Sequence, residues 1–213
     1  MQSLGIVIPA HNEEKRIKPT LEAYSKYFNK LMKEKKLNYE ILVIINASKD
    51  STIDIVKREK KKNNRIAYLD LIKGGKGYAV IEGFKFGLAR KHDLIGFVDA
   101  DMATSPSAFY DLVKNIDDAG GIIPNRWVKE SIIKTKQAIL RRITSRVFNF
   151  IVRALFLMPY TDTQCGAKLF SREALERTVN EIGNTRFAFD VELLYKVRRN
   201  GFEIKEIPTV WED

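Results

Sequence analysis

Short apolar runs near 4–9, 39–45, 65–71, 93–98 and 120–124 alternate with helix-length segments near 13–35, 50–62, 77–90 and 106–118. Few folds accept that rhythm. Strands separated by a crossover helix pair in parallel, and the helices cover both faces of the sheet. Thr104-Ser105-Pro106 reads as the start of one such helix, with proline in its first turn. The expected fold is α/β, a Rossmann-like, mostly parallel sheet flanked by helices. The last third departs from the rhythm. A helix-like stretch from about Lys134 to Met158 precedes the loop Thr161–Gly166, a short strand, a helix near 188–200 and a strand near 203–208. It reads as a C-terminal elaboration that completes a site begun by the first half.

The chain has 213 residues, 45% apolar and 30% charged, enough for one globular core and unlike a disordered segment. The lone Cys165 excludes an internal disulfide and a cysteine metal cluster, which fits a reducing compartment. The apolar run Leu4–Ile8 is too short for a signal peptide and has no basic lead-in. The longest apolar candidate, Val147 to Met158, falls short of a membrane span and carries Asn149 and Arg153. A soluble or peripheral protein is expected, cytoplasmic, on the cytoplasmic face of a membrane. The formal charge of +10 favours a polyanionic partner. The run Lys57-Arg58-Glu59-Lys60-Lys61-Lys62 reads as a solvated helix end rather than a nucleic-acid patch.

Three strands run into polar loops: Pro9-Ala10-His11-Asn12-Glu13-Glu14, Asn46-Ala47-Ser48-Lys49-Asp50-Ser51-Thr52 and Asp99-Ala100-Asp101. In a parallel sheet all three share the carboxyl rim, where ligands bind. Asp99 and Asp101 alternate on an extended segment, so both carboxylates point the same way. Two acids so held suit a divalent cation that leaves positions open for phosphates. Gly74-Gly75-Lys76-Gly77 lacks Walker spacing, so it reads as a turn opening a helix or as a substrate contact, not as an NTPase loop. His11 and His92 have no metal-ligand partner at suitable spacing, and His92 beside Asp93 reads as a surface turn.

These strings, with Asp162-Thr163-Gln164-Cys165-Gly166-Ala167-Lys168-Leu169-Phe170 and the segment 187–194, resemble the inverting family-2 glycosyltransferases of GT-A fold, in the dolichyl-phosphate glucose or mannose synthase branch. The resemblance runs from about 4 to 211 and implies one GT-A domain over 1–213, nucleotide-binding to about 125 and acceptor-binding from about 126. It places Pro9, His11, Glu13 and Asn46 at the nucleotide's base and ribose. Lys76, Asp99 and Ala100 fall near ribose and diphosphate, and Asp101, with Asp99, at Mg²⁺ or Mn²⁺. Where relatives carry Asp-Asp-Gly-Ser, this chain reads Ile45-Asn46-Ala47-Ser48, so the base meets an amide rather than a carboxylate. Ala103 stands where some relatives carry a further Gln. Relatives also continue beyond Asp213, which raises the expectation of a partial chain or of a partner.

Between Arg126 and Arg153 eight basic residues face only Glu130. Arg142, Arg146, Asn149 and Arg153 form a polar helical stripe beside an apolar one, the pattern of a helix on a membrane surface or packed on the sheet. The resemblance assigns Arg126, Arg141 and Ser145 to the acceptor lipid's phosphate. Asp162, Gln164 and Glu192 are expected at the sugar or acceptor, and Asp190 in catalysis as a base, a sugar-hydroxyl ligand or a helix-terminal charge. The function expected is transfer of a hexose, from UDP-glucose ahead of GDP-mannose, to dolichyl or polyprenyl phosphate. The alternatives are a transferase acting on a saccharide hydroxyl and a non-catalytic nucleotide-binding, membrane-docking module.

Overall fold

The alternating runs fold as βαβ units. A computed structural model describes residues 1–133, 149, 152–153, 155–183 and 188–212. The first half holds β1 (Ser3–Ala10), α1 (Ile17–Lys33), β2 (Asn38–Asn46), α2 (Thr52–Lys62), β3 (Ile66–Leu71), α3 (Lys76–Ala89), β4 (Leu94–Val98), α4 (Pro106–Asn115) and β5 (Gly121–Asn125). Beyond it come β6 (Ile132–Ile133), β7 (Ala167–Ser171), α5 (Arg172–Thr178), a 3₁₀ turn, α6 (Phe189–Arg199), β8 (Ile204–Pro208) and β9 (Val210–Trp211). Most of the long helix expected over Lys134–Met158, with Arg141 and Ser145, lies outside the described residues.

Seven strands form the main sheet in the order β3-β2-β1-β4-β7-β5-β8. All neighbours pair in parallel except β7, which runs antiparallel between β4 and β5. The chain leaves β1 toward β2 on one side and later fills β4 on the other. That reversal opens a crevice at the carboxyl ends of β1 and β4, the topological switch point where such sheets take ligands.

Alternation along the strands supplies both faces with core. Ile6, Ile8, Ile41 and Val43 face α1 and α4, where Tyr24, Phe28 and Phe109 are buried. Val7, Leu42 and Ile44 face the opposite layer with Phe84, Phe97 and Phe189. At Gly83 the backbone of α3 lies so close to the sheet that a Cβ would stand 2.3 Å from Val7. Ser105 caps α4 by accepting from the Ala108 N–H at 3.2 Å, with Pro106 opening the helix.

Two expectations are corrected. Residues 13–16 do not open α1: they form a turn whose Glu13 carbonyl accepts the Arg16 and Ile17 N–H groups, because the Glu13 and Glu14 N–H groups bond the neighbouring loop. His92 is no surface turn. It is buried, its ring backs Gly5, and its Nε2 lies 3.2 Å from a Glu40 carboxylate oxygen.

Candidate active site

The crevice is built by loops that hold one another. Asn12, in the left-handed region at φ 55, donates its N–H to the Ser48 hydroxyl, and its side-chain oxygen accepts the Lys49 N–H. Glu13 donates its N–H to the Thr52 hydroxyl at 2.8 Å, and Glu14 donates to Asp50 while accepting from Ser51. The third loop is tied to α1, since Thr20 and Tyr24 donate to the Ala100 and Thr104 carbonyls at 2.7 and 2.8 Å. Side-chain hydrogen bonds thus fix the relative position of all three loops before any ligand arrives.

Pro9, Ala10, His11, Glu13, Asn46, Lys76, Asp99, Ala100 and Asp101 line one open cleft, with Arg16 as an unexpected neighbour. Arg16 grips Glu13 through two bonds of 2.6 and 2.7 Å, which fixes that carboxylate at the wall. His11 Nδ1 bonds the Asn46 carbonyl. The Asn46 side-chain oxygen is buried and has no hydrogen-bond partner among the described residues. An orphaned acceptor lining a cleft is a place for a ligand N–H, since a buried acceptor without a partner is costly.

The anionic end is equally specific. The Lys76 ammonium lies 2.6 and 2.8 Å from the two Asp99 oxygens. Burial pushes the Asp99 carboxyl up from its ordinary value, against the pull of Lys76, and Asp101 and Asp190 add to the rise. Burial works to lower the Lys76 ammonium, but Asp99, Asp190 and Asp101 together hold it above its ordinary value. Asp99 also forbids a side chain opposite: a Cβ on Gly166 would stand 2.3 Å from its Oδ2. Asp101 is exposed, with Oδ1 accepting the Ala103 N–H at 3.0 Å.

Asp99 already pairs with the Lys76 ammonium, and with Asp101 it offers hard oxygen donors of the kind divalent cations take. Among the described residues no group of three or more His, Cys, Asp or Glu converges. The pair therefore fits a metal that draws its remaining ligands from water or from a phosphate-bearing molecule.

The acceptor-side residues are placed differently from the cleft set. Asp162 is fully buried and accepts the Arg126 backbone N–H, Nε and Nη2 at 2.8 to 2.9 Å. Arg126 lies 5.4 Å from the Trp211 ring and 5.7 Å from Trp127, so its guanidinium is clamped on several sides. Asp162 thus acts through Arg126. Gln164 Nε2 is buried with no hydrogen-bond partner. Glu192 accepts the Gly183 N–H at 3.0 Å. Asp190 pairs with Lys168 at 2.6 Å, a partner the sequence reading passed over. Cys165 is packed, its thiol pushed up to about 12 by burial, and is no nucleophile.

This architecture is the GT-A fold. A glucosyl-3-phosphoglycerate synthase from Mycobacterium tuberculosis, solved with Mn²⁺, UDP and glucosyl-3-phosphoglycerate, superposes with a TM-score of 0.73 at 18% identity, over 99% of this chain and 71% of that one. Residues 5–179 match the model of glycosyl transferase family 2, and the chain belongs to that family. A dolichyl-phosphate beta-glucosyltransferase of Dictyostelium discoideum is 34% identical over 99% of this chain. The human protein of the same description is 32% identical over the whole chain. The chain spans 66% of the first relative's length and 68% of the second's.

Proposed function

We propose that the protein transfers a hexose, with inversion, from a nucleotide-sugar to the phosphate of dolichyl or polyprenyl phosphate. UDP-glucose is the donor put first and GDP-mannose second. One observation carries the reading: the Asn46 acceptor, orphaned among the described residues, and the Lys76–Asp99 pair with Asp101 line a single cleft. A nucleoside diphosphate meets both, with base N–H groups for the acceptor and a diphosphate for the charged cluster. The descriptions of the Dictyostelium and human relatives support the sugar and the lipid.

In this reading Asn46 Oδ1 accepts a base N–H, Glu13 accepts a ribose hydroxyl, and Pro9, His11 and Ala100 flank the nucleoside. Lys76 lies against the diphosphate. Asp101 and Asp99 would hold Mg²⁺ or Mn²⁺, which supplies neutralisation of the charge left on the departing diphosphate. Arg126, oriented by Asp162, meets the lipid phosphate together with Arg141 and Ser145. A phosphate monoester is already anionic at neutral pH, so its oxygen attacks the anomeric carbon without a proton acceptor. Attack opposite the breaking bond inverts the configuration.

No helix among the described residues is long and apolar enough to cross a membrane. A peripheral association at the cytoplasmic face fits the net charge of +10.

The test is transfer of label from UDP-glucose and, in parallel, GDP-mannose to dolichyl phosphate in detergent with Mg²⁺ or Mn²⁺, using wild type and Asp101→Ala. Labelled lipid from wild type alone is the expected result. Donor hydrolysis without lipid product overturns the lipid acceptor and favours a saccharide one.

A further inference from the structure

Lys168 stands in the middle of β7, between β4 and β5, where strand alternation calls for an apolar residue, and its side chain is 0% exposed. A buried ammonium is costly unless paired and hydrogen-bonded. Here it donates to Asp190 Oδ1 at 2.6 Å and to the Cys165 carbonyl at 2.9 Å, and it lies 5.2 Å from the Phe97 ring. Phe97 also stands 5.8 Å from the Lys76 ammonium, so one aromatic ring contacts both lysines of the region. A buried ion pair of this kind adds little to stability over an apolar core, which leaves its use to be found in what it holds.

What it holds is Asp190. That residue is second in α6, where the helix terminus also favours a negative charge. Its side chain keeps 13% exposure, and among the described residues Oδ2 has no hydrogen bond. Its charge reaches both Lys76 and Asp99, the phosphate end of the cleft. A group just beyond the diphosphate is where a donor's sugar sits.

We propose that Lys168 is a positioning residue for Asp190: it fixes the carboxylate so that Oδ2 accepts a hydroxyl of the donor hexose. The inference rests on the nucleotide-sugar reading above.

Calorimetric titration with UDP and with UDP-glucose, in Mn²⁺ and without acceptor, tests this on wild type, Lys168→Met, Lys168→Arg, Asp190→Asn and the double variant Lys168→Met/Asp190→Asn. GDP and GDP-mannose are run beside them. The wild type should bind the sugar nucleotide more tightly than the free nucleotide. Lys168→Met and Asp190→Asn should each weaken sugar-nucleotide binding by about 10- to 100-fold, the range of one hydrogen bond to a charged group, and leave nucleotide binding unchanged. The double variant should lose no more than either single one, because Lys168 acts through Asp190. It removes both buried charges together, so it also reports the result if a single variant does not fold. Lys168→Arg, which keeps the charge, should recover part of the loss. Wild-type sugar-nucleotide affinity in Lys168→Met overturns the inference. So does an Asp190→Asn protein that binds donor normally yet cannot transfer, since that is the behaviour of a base. A wild type that binds UDP but gains nothing from either sugar overturns the donor reading, and the inference falls with it.

Discussion

Asn46 ends β2 at the wall of the cleft. Its side-chain oxygen is buried and unmet, and an amide acceptor gives a weaker bond than a carboxylate would. Asn46→Asp should therefore tighten UDP binding by about 5- to 10-fold, the difference between a neutral and a charged acceptor. The same change should lower the melting temperature of the free protein, because it buries a carboxylate beside the His11–Asn46 contact. Titration calorimetry and a melting curve with and without UDP check both signs. An affinity equal to wild type would mean that the base does not meet this side chain. Asn46 was legible in the sequence because it ends an apolar strand in a polar loop. Lys168 was not, because a lysine inside Ala167–Ser171 reads as one polar residue on a strand, and its partner Asp190 is 22 positions away. Arg16 was missed for a similar reason: its hold on Glu13 depends on a turn that hydropathy cannot reveal.

The loop after β1 and the loop after β2 behave as one element, and Asp50 is their joint. It accepts the Thr52 N–H at 3.0 Å, the Thr52 hydroxyl and the Glu14 N–H at 3.1 Å. Partial burial pushes the Asp50 carboxyl up, but the Thr52 hydroxyl and the N–H groups of Thr52 and Glu14 outweigh it and hold the carboxyl below its ordinary value. A depressed folded value means that the stabilisation is complete above the unfolded value and disappears as pH falls through the folded one. Asp50→Asn should thus cost about 1 kcal/mol near neutral pH, and the gap should close as wild type is protonated below about pH 4. Urea midpoints for the two proteins, measured from neutral pH downward, decide it; a gap that is constant with pH would assign the effect to shape rather than charge. The order of strands and helices up to Asn125 was readable from apolar spacing. The antiparallel insertion of β7 was not, since strand neighbours are chosen by distant contacts. The seven-residue α5 and the two-residue β6 and β9 are too short to leave a periodic signal.

The sheet reversal and the charge distribution together relate the cleft to a membrane in the proposed reading. The topology gathers the nucleotide-facing loops on one rim, while α6 carries Asp190 at its start and Arg198 and Arg199 in its last turn, about 12 Å further along. Next to that far end Leu155 and Leu157 are 72% and 79% exposed, in a segment where Phe156 packs edge-on against Tyr195 and Arg198 donates to the Leu157 carbonyl. Arg153, Arg198 and Arg199 are all exposed around it. Isolated exposed leucines are ordinary, but a fixed apolar tip ringed by arginines matches an anionic bilayer, where the leucines enter the interface and each arginine adds about 1 kcal/mol. Sedimentation with phosphatidylserine-containing vesicles should show binding that falls between about 0.1 M and 0.5 M salt as screening shortens. Leu155→Ser/Leu157→Ser should weaken that binding by about 10-fold or more while leaving transfer to a short, soluble prenyl phosphate as it was, because neither leucine belongs to the cleft. Vesicle binding that is insensitive both to salt and to the double substitution would place the membrane contact on another surface of the molecule, and the basic stripe from Arg142 to Arg153 would then be the next to test.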